Sequence, residues 1–484
     1  MTSRRSPLRS ALLILGSVAA LAALAFGGLV VALGGNQAVS RIGATFGVQI
    51  EFAGSGLRPI LTYGDADSHF ADLERNRTQH YSRHLPAGPV ATTDGDGAAG
   101  LYWTDFRGPA RDGSYRHGRL NLDWPKEGLT PIWKQPIGEG YASFVVAHNR
   151  AFTIEQRRDQ EVVAAYEATT GRELWTHAWD GRFDEMMGGP GPRATPTWYD
   201  GRLYALGASG RLWCLEADDG EVVWERDILR DSQARNLPWA MSGAPLIVDD
   251  LVVVQPGGSD GWSIVAYDRE TGDVVWHVLD DIQSYTSPML ITLAGQRQIV
   301  TVTATRAVGL TLDGKLLWEY PWKVSIVPNV AQPLLVGPDR LFLSASYGQG
   351  AAVIELTGAK PPFGAETVWS NNRMKNKFSS SVLHDGYIYG LDESILACMD
   401  AATGELKWKG GRYGYGQLLL ASDHLIILTE RGELALVRAT PNGHEEVARS
   451  SAIEGKTWNV PALADGRLLV RNAREMAGFD LRVP

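Results

Sequence analysis

The sequence predicts an all-β fold, an eight-bladed β-propeller of four-stranded antiparallel blades, preceded by an N-terminal transmembrane helix. Three observations lead to this prediction. A unit of about 40–50 residues recurs from Tyr102 to the end of the 484-residue chain. Each unit holds tight turns between short runs of alternating apolar residues. A tryptophan follows the last turn of most units at a fixed offset.

One unit shows the pattern in full. Residues 194–224 read ATPTWYDGRLYALGASGRLWCLEADDGEVVW, with Asp-Gly at 200–201 and 219–220 and Ser-Gly at 209–210. Asp-Gly between alternating apolar residues is a strong hairpin signal, because both turn positions need positive φ. Three turns separate four strands, named A to D here, and four such strands form one propeller blade.

The half of the unit that spans strands C and D recurs along the chain. Copies lie at residues 165–175, 214–224, 266–276, 309–318 and 398–408. The motif tryptophans, 39 to 52 residues apart, are Trp133, Trp175, Trp224, Trp276, Trp318, Trp369 and Trp408. We expect each ring to dock against the next blade rather than stack on a cofactor, because each follows its turn at one offset.

The two ends of the repeat region are predicted to share one blade. Trp133 lies in TPIWKQPI, which resembles a D strand with no A, B or C strand before it. Residues 458–463, 467–471 and 476–481 supply strands A, B and C, and the repeat then ends. Pairing the two ends removes open strand edges that invite aggregation. The repeat region is therefore predicted to form seven complete blades and one shared blade.

The N-terminal segment has the properties of a membrane anchor. Residues 11–33 carry no charge and, at about 1.5 Å per residue, span a hydrocarbon core of about 30 Å. The run exceeds the roughly 7–15 apolar residues of a cleavable signal, which favours an uncleaved signal anchor. Arginines precede it, so the propeller is predicted to be periplasmic. The expected organisation is a cytoplasmic tail (1–10), a transmembrane anchor (11–33), a juxtamembrane segment and spacer (34–100) and the propeller (101–484).

Composition excludes several classes of function. The net charge is −9 although Arg4, Arg5 and Arg9 make the first ten residues basic, so the body is acidic and unsuited to nucleic acid. The two cysteines, Cys214 and Cys398, are too few for a disulfide framework or a zinc site. The ten histidines lack metal-ligand spacing, and no catalytic Ser/His/Asp set is evident.

The candidate site is the funnel where the innermost A strands converge. The connections from strand D to the next strand A supply a rim of cations, aromatic rings and amides. These candidates are Arg193, Trp239, Tyr285, Lys323, Asn329, Arg373, Lys375, Lys377, Lys456, Trp458 and Asn459, with Glu155 and Glu185 as further polar contacts. An extended chain would place Arg373, Lys375 and Lys377 on one side. Converging cations and flat rings suit an anionic ligand or an acidic peptide.

The motif A-x-D-x-x-T-G-x-x-x-W resembles the pyrroloquinoline-quinone (PQQ)-type repeat over residues 101–484. Two groups carry such propellers: PQQ-dependent alcohol and sugar dehydrogenases, and non-catalytic proteins similar to the propeller lipoprotein of the outer-membrane protein assembly machine. The segments WTDFRGPARDG (103–113) and RMKNKFSSSVLHDGYIYG (373–390) look like a third, bacterial set. The fold alone does not choose among these functions.

The resemblance to the dehydrogenases implies a calcium ion held by Glu, Asn and Asp, an Asp base and, in the alcohol-oxidising branch, adjacent cysteines. Cys214 and Cys398 fall in blades two and six, so no such disulfide is expected. The favoured expectation is a non-catalytic scaffold of the cell envelope, without cofactor, that binds an envelope protein, a peptide segment or an anionic ligand. The alternative is a PQQ-dependent oxidoreductase with PQQ and calcium.

Overall fold

A computed structural model describes residues 48–52, 59–63, 66–81, 102–325 and 328–483. The chain forms two compact units, residues 1–69 and 70–484. The predicted cytoplasmic tail, the 11–33 anchor and much of the 34–100 segment lie outside the described residues. Among the described helices, none combines the length and the apolar character that a membrane crossing requires.

The first unit contains an antiparallel hairpin of β1 (Val48–Phe52) and β2 (Pro59–Tyr63). Helix α1 (Ala66–Tyr81) follows, and its residues from Phe70 onward belong to the second unit. Phe70 and Leu73 are buried, so one face of this part of α1 packs within the second unit.

The second unit is a ring of eight blades, each built on four antiparallel strands, and in the first seven blades these four strands follow in chain order. Blade 1 comprises β5 (Val145–Ala147), β6 (Arg150–Arg157), β7 (Gln160–Glu167) and β8 (Glu173–Asp180), and blade 2 comprises β9 (Thr197–Tyr199), β10 (Arg202–Leu206), β11 (Arg211–Glu216) and β12 (Val222–Asp227). Blade 3 comprises β13 (Leu246–Val248), β14 (Leu251–Val254), β15 (Ile264–Asp268) and β16 (Val274–Val278). Blade 4 comprises β17 (Met289–Leu293), β18 (Gln296–Val302), β19 (Arg306–Leu310) and β20 (Leu316–Pro321). A short helix α2 (Ile228–Asp231) follows β12.

Blades 5 to 7 continue the same order. Blade 5 comprises β21 (Leu334–Leu335), β22 (Arg340–Ala345), β23 (Gly350–Thr357) and β24 (Gly364–Asn371). Blade 6 comprises β25 (Val382–His384), β26 (Tyr387–Asp392), β27 (Ile395–Asp400) and β28 (Leu406–Arg412). Blade 7 comprises β29 (Gln417–Ala421), β30 (His424–Leu428), β31 (Glu433–Arg438) and β32 (Glu446–Ser451). Blade 7 gains a fifth strand, because β3 (Ser114–Tyr115) pairs in parallel with β29.

Blade 8 closes the ring with strands from both ends of the repeat region. Its strands are β33 (Ala462–Ala464), β34 (Arg467–Arg471), β35 (Glu475–Asp480) and β4 (Trp133–Pro136). The outer strand β4 pairs antiparallel with β35, with Trp133 opposite Gly478. The predicted eight-bladed ring and its shared blade are confirmed.

Most of the motif tryptophans connect one blade to the next. The Trp224 indole Nε1–H donates to the Arg269 carbonyl at 2.9 Å, in the C-to-D turn of blade 3. Gly272 in that turn has φ +73°, and a Cβ there would lie 2.8 Å from the Trp224 ring. The turn glycine therefore serves twice: it permits the backbone conformation and leaves room for the indole. The same indole-to-carbonyl bond joins Trp133 to Ala168, Trp175 to Ala217, Trp276 to Leu312, Trp369 to Ala401 and Trp408 to Thr440.

Trp318 departs from this arrangement. Its Nε1–H donates to the Gln298 side chain at 2.6 Å, and Gln298 lies in β18 of the same blade. The next turn, between β23 and β24, contains Pro361 and Pro362 and has no Thr-Gly pair at the motif's offset from Trp369. Trp318 is nevertheless buried in one apolar cluster with Leu341, Leu343 and Leu356 of blade 5, so its ring docks against the next blade as expected and only its hydrogen bond differs.

Residues 102–115, called the plug here, fill the central channel. Trp103 bridges to Val146 of blade 1, β3 adds to blade 7, and the Tyr115 hydroxyl accepts a hydrogen bond from the Gly466 N–H of blade 8. Because the A strands are innermost, a segment that contacts them on several blades lies on the ring axis. The WTDFRGPARDG motif is thus a structural element of the channel.

Two buried arginines hold the plug in place. The Arg111 guanidinium forms an ion pair with Asp105 at 3.0 Å and donates to carbonyl oxygens in the entries to the A strands of blades 3 and 4. Arg107 donates to the carbonyls of Ser380 and Ser381 in blade 6. One guanidinium supplies five donors, so each can satisfy several carbonyls that a short loop would leave unpaired.

A girdle of polar residues runs around the channel at the start of the A strands. The Ala244 N–H donates to the Ser287 hydroxyl, the Ser287 N–H to the Gln332 amide oxygen, and the Gln332 N–H to the Ser380 hydroxyl, at 2.9, 2.7 and 3.0 Å. Each bond joins one blade to the next. These bonds satisfy buried backbone groups and fix the angle between neighbouring blades.

Candidate functional site

Seven aromatic side chains surround the mouth of the channel at the end where strand D connects to the next strand A. They are called the aromatic crown here: Tyr141, Trp239, Tyr285, Tyr347, Phe378, Tyr415 and Trp458. Six lie in D-to-A connections of different blades, and Tyr347 lies in the turn between β22 and β23. A propeller places such loops together because all A strands start at the same end of the ring.

Four of these rings form a continuous row. Trp458 lies 5.4 Å from Tyr141 and 4.6 Å from Phe378, centroid to centroid, and Phe378 lies 5.4 Å from Tyr415. These separations are typical of favourable aromatic pairs. The four residues come from the loops that enter blades 1, 6, 7 and 8, so the row converges toward the axis. On another side, Trp239 and Tyr285 meet at 6.1 Å.

Lys377 lies among three crown rings. Its Nζ is 4.4 Å from the centroid of Tyr415 and 5.3 Å from those of Tyr347 and Phe378. Burial lowers the pKa of this ammonium, while the charges of Glu393 and Glu430 oppose that shift. The arrangement is a cation–π site in which two carboxylates balance the cation.

Arg193 and Lys456 bind the loop of residues 183–192 rather than facing solvent. Arg193 donates to the carbonyls of Gly189 and Gly191, and it forms an ion pair with Glu185 at 3.2 Å. Lys456 donates to the Gly188 carbonyl at 2.8 Å. Burial lowers the pKa of Arg193, against the opposing effect of Glu185. These side chains therefore hold the loop against the crown.

The same loop presents two methionines to solvent. Met186 and Met187 are 55% and 62% exposed, and the Tyr141 hydroxyl and Lys456 both contact the adjacent Gly188 carbonyl. Exposed methionines beside a fixed aromatic surface are typical of adaptable binding surfaces, since the thioether side chain adjusts its shape at low cost.

The expected cluster of Arg373, Lys375 and Lys377 on one side of an extended chain does not form. Met374 adopts φ +51°, in the left-handed region, and its side chain is buried. Lys375 instead forms an ion pair with Asp392 at 3.3 Å, and Arg373 is exposed. The two-residue alternation applies only to extended backbone, which Met374 interrupts.

Three other predicted contacts are not aromatic members of the crown, although the Asn329 carbonyl accepts a hydrogen bond from the Tyr285 N–H at 2.8 Å. Lys323 is exposed. Asn329 donates its amide N–H to the Thr303 carbonyl at 2.8 Å, and Asn459 donates to the Ala142 carbonyl at 3.0 Å. Both asparagines are buried. Their hydrogen bonds hold the connections between blades, so these side chains support the structure of the funnel rather than contact a ligand.

Glu155 belongs to a buried ionic network between blades 8 and 1. It pairs with Arg157 at 2.5 Å and accepts a hydrogen bond from the Tyr166 hydroxyl. Arg77 of α1 pairs with Glu173, which also pairs with Arg157. Burial opposes ionisation of Glu155, but the charges of Arg157, Arg471 and Arg77 prevail, so its pKa is lowered.

The candidate calcium ligands do not converge. Glu155 is in the network between blades 8 and 1, Glu185 pairs with Arg193, and the amides of Asn329 and Asn459 bind backbone carbonyls at separate connections. In the part of the chain that the structure describes, no three His, Cys, Asp or Glu side chains are grouped for metal binding. These four candidate residues therefore do not form the calcium site that the resemblance to the dehydrogenases implies.

The two cysteines are free and buried. Burial raises the pKa of Cys214 to about 12 and that of Cys398 to about 11. Thiols with such pKa values stay protonated at neutral pH and are poor nucleophiles.

Sequence reasoning missed four of the crown residues: Tyr141, Tyr347, Phe378 and Tyr415. Tyr141, Phe378 and Tyr415 occupy the same D-to-A connections that indicated the other candidates, so the rule that selected those candidates also applies to them. Tyr347 carried no such signal, because it lies in a turn between strands B and C that reaches the funnel only through the tertiary fold.

The fold and the repeat define a PQQ-type repeat propeller. Residues 158–410, just over half of the chain, match the family model described as outer membrane protein assembly factor BamB, and the chain belongs to this family.

Curated relatives from both functional groups match parts of the chain. Quinohemoprotein alcohol dehydrogenase ADH-IIG of Pseudomonas putida is 31% identical over 124 residues, which are 24% of this chain and 16% of that protein. BamB of Marinobacter adhaerens is 28% identical over 158 residues, 33% of this chain and 31% of that protein. The chain thus spans about a sixth of the dehydrogenase and under a third of that BamB.

Solved structures show the same fold at low identity. The quinohemoprotein alcohol dehydrogenase of Comamonas testosteroni aligns with a TM-score of 0.58 and 14% identity, over 85% of each chain. BamB of Moraxella catarrhalis aligns with a TM-score of 0.52 and 15% identity, over 73% of this chain and 97% of that chain.

Proposed function

We propose that this chain is a non-catalytic binding propeller of the cell envelope whose aromatic crown takes up a segment of a partner protein. The observation that carries the proposal is the convergence of seven aromatic rings from different blades on one funnel mouth, beside two exposed methionines. Tyr, Trp, Met and Arg are the residues enriched at the cores of protein interfaces.

The charges around the crown favour a segment that is aromatic or apolar over one that is strongly acidic. Lys377 faces Glu393 and Glu430, and Arg193 pairs with Glu185. Lys456 is buried and donates to loop carbonyls. Little positive charge is left uncompensated, so the affinity must come mainly from ring contact and burial.

The plug supports a single route of entry. Because residues 102–115 fill the channel, a bound segment enters and leaves through the crown. A dead-end funnel suits capture of a chain end or a hairpin tip.

A crosslinking experiment on the full chain tests the proposal. A photoreactive amino acid at Met187, introduced in the native cell envelope, should crosslink one partner. Phe378→Ala combined with Trp458→Ala should abolish that product, while Tyr199→Ala, an exposed tyrosine outside the crown, should leave it unchanged. Persistence of the product in the double variant, or absence of any product, would count against the proposal.

A second candidate, a PQQ-dependent oxidoreductase, is favoured by the repeat shared with the alcohol dehydrogenase relatives. It is tested by adding PQQ and calcium to the detergent-solubilised full chain. We expect no stoichiometric binding by calorimetry and no dye reduction with alcohols or sugars. Binding with turnover would replace the scaffold proposal.

Placement in the envelope is a further part of the proposal and rests on residues 11–33. Alkaline phosphatase fused after the last residue should be active, because this enzyme matures only outside the cytoplasm. An equivalent β-galactosidase fusion should be inactive. Activity of the second fusion would place the propeller inside the cell.

A further inference from the structure

The D strands form the outer rim of the ring, and one of them differs from the rest. Strand β16 of blade 3 reads VVWHV and contains no Asp, Glu, Lys or Arg. The other seven D strands each contain at least one such residue: β4, β8, β12, β20, β24, β28 and β32. Charges on edge strands prevent unwanted pairing with other chains, so β16 lacks a protection that its counterparts have.

The edge of β16 is also open. It is the last strand of its sheet and pairs on one side only, with β15. Val274 and Val275 are 40% and 52% exposed, and His277 is exposed beside Trp262, whose ring stacks on it at 4.0 Å. An exposed, β-branched, uncharged edge is suited to accept one more strand through its main-chain groups.

The charges that flank β16 identify the occupant. Asp273 lies at one end, where it pairs with Arg226 at 2.6 Å, and Asp280 and Asp260 lie near the other. Antiparallel pairing with a second copy, centred on Trp276, would set Asp273 of one copy opposite Leu279 of the other and gather the acidic residues of both copies along one short edge. Like charges gathered at one interface are unfavourable, which disfavours a second copy of this chain.

We infer that the β16 edge is a docking site for an extended, uncharged strand of another protein with basic residues on both sides. The apolar centre of that strand would pair with residues 274–278, and its lysines or arginines would face Asp273 and Asp280. This surface lies on the outer rim, so its occupancy does not depend on ligand binding at the crown.

The test uses a synthetic peptide as the probe, with five alternating valine and threonine residues between two pairs of lysines. Added to the full chain, it should slow amide hydrogen exchange at residues 274–278. Val275→Lys should weaken its binding about tenfold, because it places a cation opposite the basic peptide on the open edge. A peptide with glutamates in place of the lysines should bind more weakly.

Val222→Lys is the matched control. Val222 is 47% exposed on β12, a D strand with its own charges, so this variant should bind the peptide as the wild type does. Unchanged exchange at 274–278, or equal weakening in both variants, would overturn the inference. So would a dimer of the peptide-free chain that Val275→Lys dissociates, since the occupant would then be a second copy.

Discussion

At the scale of single residues, the ring depends on pairs formed by a tryptophan of one blade and a turn glycine of the next. The repeat motif predicted the tryptophans and the turns, because both recur at fixed offsets. It did not predict that the glycine leaves room for the indole, nor that Trp318 would bond within its own blade. Such partners depend on the neighbouring blade, which a single repeat does not contain.

Trp224→Ala is expected to destabilise the protein by about 3–5 kcal/mol, because it removes a large ring from a well-packed contact between blades. The measurement is chemical denaturation. Trp224→Phe should cost less, since it keeps most of the ring and loses the hydrogen bond to Arg269, worth about 1 kcal/mol. An unchanged unfolding midpoint for Trp224→Ala would contradict the docking role.

Arg111→Met is expected to cost about 3–5 kcal/mol, because it leaves Asp105 buried without its partner. Adding Asp105→Asn to this variant should recover part of the loss. Additive losses in the double variant would show that the two side chains do not act as a pair.

At the scale of elements, helix α1 is fastened to the ring by Arg77. Its guanidinium pairs with Glu173 at 2.9 Å and donates to the Pro136 carbonyl of the closing strand β4. The sequence predicted a juxtamembrane segment and spacer over residues 34–100, and its composition gave no sign that a helix within it would meet the ring. The reason is that the binding partners of Arg77, which are Pro136, Tyr166 and Glu173, lie in strands far along the chain.

Arg77→Ala is expected to release α1, measured as loss of hydrogen-exchange protection at residues 70–78 while the strands stay protected. Arg75→Ala is the control, because Arg75 is exposed and pairs with Asp72 within the helix. Equal loss of protection in both variants would point to simple loss of helix propensity instead.

The attachment of α1 should also depend on pH. The pKa of Glu155 is lowered in the folded state, so its contribution is complete above the ordinary carboxyl pKa of about 4 and is lost as pH falls through the lowered value. Protection of α1 should therefore persist at pH 5 and decline in stronger acid. Glu155→Gln should reduce protection at neutral pH and flatten this acid dependence.

At the scale of the whole molecule, the number of blades and their closure were predictable from repeat spacing alone. The plug was not, although its motif was recognised, because residues 102–115 belong to no repeat and their partners lie on seven blades. The same limit applies to the site. The sequence predicted the D-to-A connections as the lining of the funnel, but the ion pair of Lys375 with Asp392 and the hydrogen bond of Asn329 to the Thr303 carbonyl depend on the folded backbone.

Truncation tests the closure. A chain that begins at Phe70 should fold and remain soluble, because it keeps α1, the plug and β4. A chain that begins at Ile137 should aggregate, because β35 loses its partner and the channel its filling. If the chain that begins at Ile137 were soluble and folded, neither the plug nor β4 would be needed to complete the ring.

The shared blade also determines when during synthesis the ring can close. Trp133 emerges during synthesis long before Gly478, its partner in the closing sheet. For that whole interval β4 exists without β35, and every intermediate has open edges. The last step of maturation is therefore the meeting of the chain's two distant ends, a contact of very long sequence separation and correspondingly slow formation. A nascent chain that stopped before β33 would contain seven blades and still lack a closed ring.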